Sequence, residues 1–442
     1  MLFVSCKKIL GGVSLSNTHE REIEYDVVVC GGGPSGIIAA AAAAQNGAKT
    51  ALIERYAFLG GLATAGLVAP ISEFRKNDRQ IIGGLPWQFV EKLSEMNGAD
   101  LSYPNGNTPF DSEAYKLCAQ RFLQERGVTV FLNTTLIGCE TEKQKIVAVR
   151  CQHFTGEFMV KAKAFVDATG DAMLCFYAGV PFLQQEIEKV QPASLCLKLG
   201  NVDTEHLEKT RFREHNTKYS NQRVREMFEK IKEKGGDVPQ FGGPWFHIDV
   251  REGVVYVNMT RSAVNLENPV QCSKMECKLR EDAFRLVELL KENIEEFKDC
   301  YIMATGTQAG YRETRRVKGK HVLTGEEILQ KVHFEDTIAK SAHPIDIHCA
   351  QGTKQNVAFL QEAGCIPFRS LYTGEFSNLL VAGRCISADE NAFASVRVQA
   401  PVMATGQAAG TAAALCEKEG VEVGDLPFET LKTILLEQGT IL

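Results

Sequence analysis

Residues 31–36 read Gly-Gly-Gly-Pro-Ser-Gly, with Gly31, Gly33 and Gly36 at the spacing GxGxxG. They close an apolar, valine-rich run at 25–30, and the next apolar run, 49–53, ends at an acid, Glu54. These residues suit a dinucleotide. Gly31 allows a tight turn, Gly33 lets a pyrophosphate approach the backbone, and Gly36 lets a helix lie against a sheet. The helix N-terminus offers free N–H groups and a positive dipole to the phosphates, and Glu54 accepts from the adenosine ribose hydroxyls. NAD and FAD both satisfy the unit.

Two further stretches could do chemistry. YRETRRV carries Arg312, Glu313, Arg315 and Arg316 in a strand-like alternation, with Arg312 and Thr314 on one face and Glu313 and Arg315 on the other. Arginine clamps a substrate carboxylate, or the negative charge of a reduced flavin. The competing reading is a salt-bridged strand joining two domains. AHPIDIHCAQ carries His343, Asp346 and His348. On an extended segment Asp346 and His348 point the same way, and an Asp-oriented histidine can accept a proton during hydride transfer. A structural histidine is the alternative. The ligand set is too incomplete for a metal.

The elements that must position these groups follow from the pattern. The run 25–30 is a buried parallel strand, IIAAAAAAQNG a helix stopping at Gly47, and 49–53 a second strand. Three later stretches favour FAD over NAD. AFLGGLATAGLVAP (57–70), with Gly60, Gly61 and Gly66, stands where an NAD unit would continue into another crossover helix. AFVDATGDA (164–172) and NLLVAGR (378–384) are strands ending in glycine turns. SVRVQAP then leads into the helix VMATGQAAGTAAALCEK, with Pro401 in its first turn. That helix N-terminus is expected at the flavin N1/O2 edge, where negative charge develops on reduction. Helices are predicted at 83–96 and 111–125, a strand at 128–132, and a β-meander over 136–166. A charged helical tract is predicted at 203–234, a strand at 253–262 and an amphipathic helix at 273–298.

On the stretches YDVVVCGGGPSGIIAAAAAAQNGAKTALIER, FLGGLATAGLV, VDATGD, YRETRRVKGKHVLT, HPIDIH, IPFRSLY, NLLVAGRCIS and SVRVQAPVMATGQAAGTAAAL, the chain resembles the FAD-dependent oxidoreductases of the glutathione-reductase and succinate-dehydrogenase-like superfamily. Within it, the likeness is to a bacterial group of FAD-dependent oxidoreductases. The resemblance implies an α/β protein: a Rossmann-like FAD-binding domain built from both ends of the chain, with an inserted α+β substrate domain. The expected division is an N-terminal extension (1–24), the first FAD part with the meander (25–190), a substrate or cap domain (191–335) and the second FAD part (336–442). The expected cofactor contacts are Gly31, Gly33, Pro34, Ser35 and Gly36 in the first turn, and Glu54 and Arg55 after the second strand. Gly61, Leu62, Ala63 and Thr64 follow in the loop, and Leu136 in the meander. The later contacts are Ala168, Thr169, Gly170 and Asp171, then Gly383 and Arg384, then Gln399, Pro401 and Val402. The expected catalytic residues are Arg312, Asp346 and His348. Leu62 stands where histidine-linked flavoproteins carry the linking histidine, so FAD is expected to be non-covalent. The chain departs from the family pattern at Glu390 and Asn391, where a histidine and an acid are usual.

Composition bounds the rest. The 442 residues suffice for about two to three domains. A net charge of −6 without a basic block argues against nucleic-acid binding. The 14 cysteines form no CxxC pair; they read as buried free thiols in a reducing compartment, with Cys272 and Cys277 nearest to a motif. Lys7 and Lys8 interrupt the N-terminal apolar residues, and the run 37–44 is far shorter than the about 20 residues of a membrane span. A cytoplasmic protein with no membrane span is expected. There is no second GxGxxG for NAD(P)H and no cysteine pair beside the first FAD unit. The expected function is hydride transfer between a small polar organic substrate and flavin N5, with an electron donor or acceptor protein as a further partner. Flavin monooxygenation and a non-catalytic FAD-binding module are the alternatives. The purified protein is therefore expected to be yellow and to release intact FAD on heating or acidification; NAD without flavin would overturn the assignment. Replacing Cys272 and Cys277 together by Ser is expected to leave flavin reduction within a few-fold of wild type.

Overall fold

The computed structural model describes residues 22–102, 106–186, 189–207, 219–349 and 355–442. The expected N-terminal extension lies outside the described residues except for 22–24. Among the described residues the chain builds a seven-stranded mixed sheet from β1 (Glu22–Cys30), β2 (Thr50–Ile53), β3 (Thr129–Phe131), β4 (Thr135–Glu142), β5 (Lys145–His153), β6 (Gly156–Asp167) and a late strand, Leu379–Val381. The order is β3-β2-β1-β6-β5-β4, with β3, β2, β1 and β6 parallel and the β4–β6 meander antiparallel. The N-terminal half of β6 pairs with β5, and Leu379–Val381 adds parallel to its C-terminal end at Phe165–Asp167. Chain from both ends thus shares one sheet, and β2 and the C-terminal half of β1, Val27 to Cys30, are buried, as their valine, leucine and isoleucine content demands.

Helix α1 (Pro34–Gln45) packs against the long C-terminal helix Gln399–Glu419, both rich in alanine and glycine. The approach is backbone to backbone. A Cβ on Gly406 would meet the Ser35 carbonyl oxygen at 2.2 Å, and one on Gly410 would meet that of Ala39 at 2.0 Å. A Cβ on Gly36 would meet the Gly31 carbonyl oxygen at 1.8 Å, so the turn lies directly under the first turn of α1.

A second core runs from Val190 to Ala309. It holds a four-stranded antiparallel sheet formed by β7 (Leu197–Gly200), β8 (Phe241–Ile248), β9 (Val255–Thr260) and β10 (Tyr301–Thr305), in the order β8-β9-β7-β10. Helices Tyr219–Glu233 and α2 (Pro269–Asn293) pack on it. The core of the large sheet takes in residues up to Val180 and resumes at Val317. Of the predicted charged tract, 208–218 lies outside the described residues.

Two expectations are corrected. YRETRRV is not a strand: it crosses between the two cores as irregular chain bounded by single bridges, Ser194 to Gly310 and Phe182 to Val317. Its charges follow that path instead of alternating. Glu313 pairs with Arg316 at 3.2 Å, both buried, and Glu313 also accepts from Gln185 at 2.7 Å. Cys272 and Cys277 are not buried either: both sit on α2, Cys272 half-buried and Cys277 exposed. A hairpin, β11 (Ile345–His348) with β12 (Gln355–Ala358), and β13, the strand Leu379–Val381, complete the parts that matter below. The helix Gln399–Glu419 is α3.

Because no side chain cushions the α1–α3 contact, Gly410→Val is expected to destabilise by at least the about 1–3 kcal/mol usual for overpacking, read as a lower Tm with loss of bound flavin. An unchanged Tm would mean that the helices can separate freely.

Candidate active site

Three glycine-bearing turns follow neighbouring parallel strands at their C-terminal ends: 31–36 after β1, 168–171 after β6 and 382–384 after β13. That is the edge where doubly wound sheets hold ligands. Here it opens into a cavity of about 770 Å³, within the about 300–1,000 Å³ usual for small-molecule sites. Of the expected cofactor residues, Gly31, Gly33, Pro34, Ser35, Glu54, Arg55, Gly61, Leu62, Ala63, Ala168, Thr169, Gly170, Asp171, Gly383, Arg384, Gln399 and Val402 line it. Gly36, Thr64, Leu136 and Pro401 do not. Gly36 is covered by its own turn, the Thr64 hydroxyl donates to the Leu59 carbonyl at 2.8 Å, Leu136 packs in the sheet core, and Pro401 is buried in the first turn of α3.

The lining fits an elongated anionic ligand. α1 begins at Gly33 with no side-chain cap, and Pro34 occupies its first turn. The N–H groups of Ser35 and Gly36 therefore have no intrahelical acceptor. A Cβ on Gly33 would meet nothing nearer than 3.9 Å, so the space above it is open. α3 also begins uncapped, at Val398, with Val398 and Gln399 lining the same cavity. Two helix N-termini thus face one cavity, each favouring negative charge. Glu54 is buried, and its oxygens accept from Gly32 N–H at 2.6 Å and Tyr56 N–H at 2.8 Å, which leaves lone pairs for ribose hydroxyls. Burial pushes its pKa up, against these two backbone donors. Asp171 shares one oxygen between Arg384 and the Thr314 hydroxyl, the latter at 3.0 Å. Burial raises its pKa, but the Arg384 charge and hydrogen bond, the Arg55 charge and the Thr314 hydroxyl together outweigh this and hold it below the usual range.

The far end of the cavity is walled by the four-stranded sheet, through Trp245 on β8 and Asn258 on β9, and by the β11–β12 hairpin, through Asp346, His348, Gln355 and Val357. Arg312 lines it and donates to the Pro192 carbonyl at 2.6 Å and the Ser194 hydroxyl at 2.9 Å. The structure therefore brings Arg312, Asp346 and His348 together. The strand geometry expected of β11 holds: His348 Nε2 lies 3.0 Å from Asp346 Oδ2. The other ring nitrogen, Nδ1, lies 2.8 Å from a guanidinium nitrogen of Arg261, which is 1% exposed. A guanidinium can only donate, so Nδ1 accepts and Nε2–H donates to Asp346. Burial, and then the Arg312 charge, bring the His348 pKa down to about 3. Gln355 donates to the other Asp346 oxygen. Burial raises the Asp346 pKa, but His348, the Arg397 charge and the Gln355 hydrogen bond together outweigh it and hold it well below the carboxylate range.

Sequence reasoning passed over Arg261, Arg397 and Glu73 here, and it named His343 without giving it a role of its own. Arg261 is made room for by Gly242, whose Cβ would fall 2.4 Å from the guanidinium. Arg397 lines the cavity and donates to the Asp346 carbonyl at 3.0 Å; it stands inside SVRVQAP, where a cation just before a helix start was the available signal. His343 lines the cavity with Nδ1 2.8 Å from the Pro344 carbonyl, so Nδ1–H donates and Nε2 keeps its lone pair. Glu73 lines it too, and no local pattern marked it. Glu390 and Asn391, where the family pattern breaks, do not line the cavity.

A sheet built from both ends of the chain, with glycine turns and uncapped helices around one cavity, has the form of a dinucleotide-binding protein. The chain belongs to the FAD dependent oxidoreductase family, whose model matches residues 26–435. FAD is its cofactor and it is an oxidoreductase. The digeranylgeranylglycerophospholipid reductase of Methanocaldococcus jannaschii is 29% identical over 178 residues, covering 37% of this chain and 43% of that protein. The thiamine thiazole synthase of Methanococcus maripaludis is 40% identical over 159 residues, covering 34% of this chain and 56% of that protein. The chain thus matches about half or less of the length of these relatives. Among solved structures, a geranylgeranyl bacteriochlorophyll reductase-like protein from Thermoplasma acidophilum aligns over 94% of this chain and 84% of that one, at 15% identity and a TM-score of 0.46. Among the described residues no helix is long and apolar enough to cross a membrane.

Burial pushes the Glu73 pKa up to about 7 from 4.5, against the Lys76 charge. Between these values the folded chain holds more protons than the unfolded one. The stabilisation is thus complete below pH 4.5 and is lost as pH rises through 7. Tm is expected to fall between about pH 5 and pH 8, and by less in Glu73→Gln; equal slopes in the two proteins would remove Glu73 as the cause.

Proposed function

We propose that the chain is a flavoenzyme transferring a hydride between a small polar organic substrate and N5 of FAD. The observation that carries this reading is the continuity of one cavity from the three glycine turns to the far end, where Arg312 and Arg397 stand beside the four-stranded sheet's Trp245 and Asn258. FAD, when bound, supplies the two-electron chemistry, and the chain's own groups bind the substrate and handle its proton. In this reading the middle unit is the substrate-facing domain and the glycine-turn residues hold the cofactor without a covalent link. Every cysteine among the described residues is a free thiol, which supports a reducing, cytoplasmic setting.

The proton role is given to His343. Its Nδ1–H is held by the Pro344 carbonyl, so Nε2 accepts, and it lines the cavity. Burial keeps it neutral by lowering its pKa, so the lone pair is present at neutral pH. His348, the expected acceptor, has its lone pair covered by Arg261. Its part in this reading is to fix Asp346, and with it the hairpin beside the substrate. Arg312 anchors the substrate.

His343→Gln is expected to lower kcat by about 10²–10⁴-fold, the loss typical of missing general acid–base help, with flavin content and Tm near wild type. His348→Gln, which keeps a side chain able to donate to Asp346, is expected to act mainly on KM. Asp346→Asn is expected to resemble it. Single-turnover flavin reduction, flavin content and Tm measured on the same variants check this. If His343→Gln reduces at the wild-type rate once flavin-loaded, the proton goes elsewhere.

A further inference from the structure

We propose that Arg312 and Arg397 form a subsite for a carboxylate on the substrate, so that the substrate class is a small organic acid bound as its anion. This rests on the reading of the cavity as a substrate site and narrows it.

The geometry of the two guanidinium groups carries the inference. Both line the cavity. The hydrogen bonds that hold them go to neutral acceptors: Arg312 to the Pro192 carbonyl and the Ser194 hydroxyl, Arg397 to the Asp346 carbonyl. Among the described residues neither makes an ion pair. Other arginines in this half of the chain do: Arg384 with Asp171, Arg316 with Glu313, Arg369 with Asp336. The nearby carboxylate, Asp346, turns its oxygens to His348 and Gln355.

The electrostatics agree. Burial lowers the pKa of Arg397 to about 10, and repulsion from Arg312 adds to it. Burial also lowers that of Arg312. A third cation, Arg261, stands behind His348 and feels the Arg312 charge. Desolvated cations held by neutral acceptors are unfavourable, and an anion entering between Arg312 and Arg397 relieves both the desolvation and the repulsion. The fork of guanidinium donors matches the two oxygens of a carboxylate. The neutral His348 adds no charge of its own. Trp245 and Val357 line the same end and suit an apolar body attached to the acid group.

The same cations could instead serve the negative charge of the reduced flavin, because Arg397 immediately precedes the uncapped start of α3. The experiment separates the two sources. Flavin-loaded protein is titrated with benzoate and with its neutral isostere benzamide, followed by flavin absorbance and calorimetry. Benzoate is expected to bind, and benzamide more weakly by roughly tenfold or more. Arg397→Met and Arg312→Met are expected to weaken benzoate by roughly ten- to hundred-fold, the factor that loss of a charge-assisted hydrogen bond gives, with flavin retained. Should Arg312→Met lose its flavin, Arg312→Lys keeps the charge without the fork and is expected to fall in between. Equal binding of the two probes, no benzoate binding by wild type, or variants that leave benzoate affinity unchanged while shifting the flavin midpoint potential, would each overturn the subsite. Photoreduction of the same sample tests the parent reading separately. A flavin that cannot be reduced rejects the enzyme, whereas a reducible flavin with no benzoate binding rejects the subsite alone.

Discussion

The contact on which the rest of the site depends is the unpadded approach of α1 and α3. Gly406 and Gly410 on α3 face the backbone of α1 at Ser35 and Ala39, and Gly36 lies on the carbonyl of Gly31. Every one of these positions would place a Cβ within about 2 Å of a main-chain oxygen. Packing of this kind has no side chains to repack, so the two helices have one relative position. That position sets both helix N-termini at the same edge of the sheet. It also lets chain separated by more than three hundred residues (Gly33 and Gln399) line one cavity.

Once the helices are fixed, the electrostatics of the cavity divide along its length. At the glycine-turn end, positive dipoles meet Glu54 and the Asp171–Arg384 pair, each charge answered by a donor or a partner within the protein. At the other end cations outnumber carboxylates, and burial lowers the pKa of both His343 and His348, so neither adds to them. The second region is therefore a wall already biased toward anions. That bias needs no helix dipole: it comes from arginines on three different segments, Arg261 after β9, Arg312 in the crossing chain and Arg397 before α3.

Much of the first region was legible in the sequence and little of the second, for a physical reason. A glycine turn after a buried strand is a local property: the required backbone, such as φ of +101° at Gly31 and +86° at Gly383, restricts residue type at the position itself. The Asp346–His348 pair was legible in the same way, because side chains two apart on a strand share a face. The partner of His348 was not. Arg261 lies 87 residues away, just after β9, and it reaches the ring because Gly242 leaves it room. Spacing within one segment carries no record of that.

The crossing chain 311–316 shows how a correct local rule can misplace charges. Alternating Arg and Glu suggests two faces, yet such alternation is a strand signal only where a neighbour supplies a ladder. Here none runs alongside, and the segment is held at its ends by single bridges. Its side chains then go where acceptors lie. Arg312 turns to the Pro192 carbonyl and the cavity, Glu313 and Arg316 bury against each other, and Thr314 joins Asp171 beside Arg384. One short stretch thereby both ties the two cores together and places a guanidinium at the cavity. The two readings offered by its sequence, domain link and substrate clamp, do not exclude each other, because the residues that tie the cores and the arginine that reaches the cavity are different.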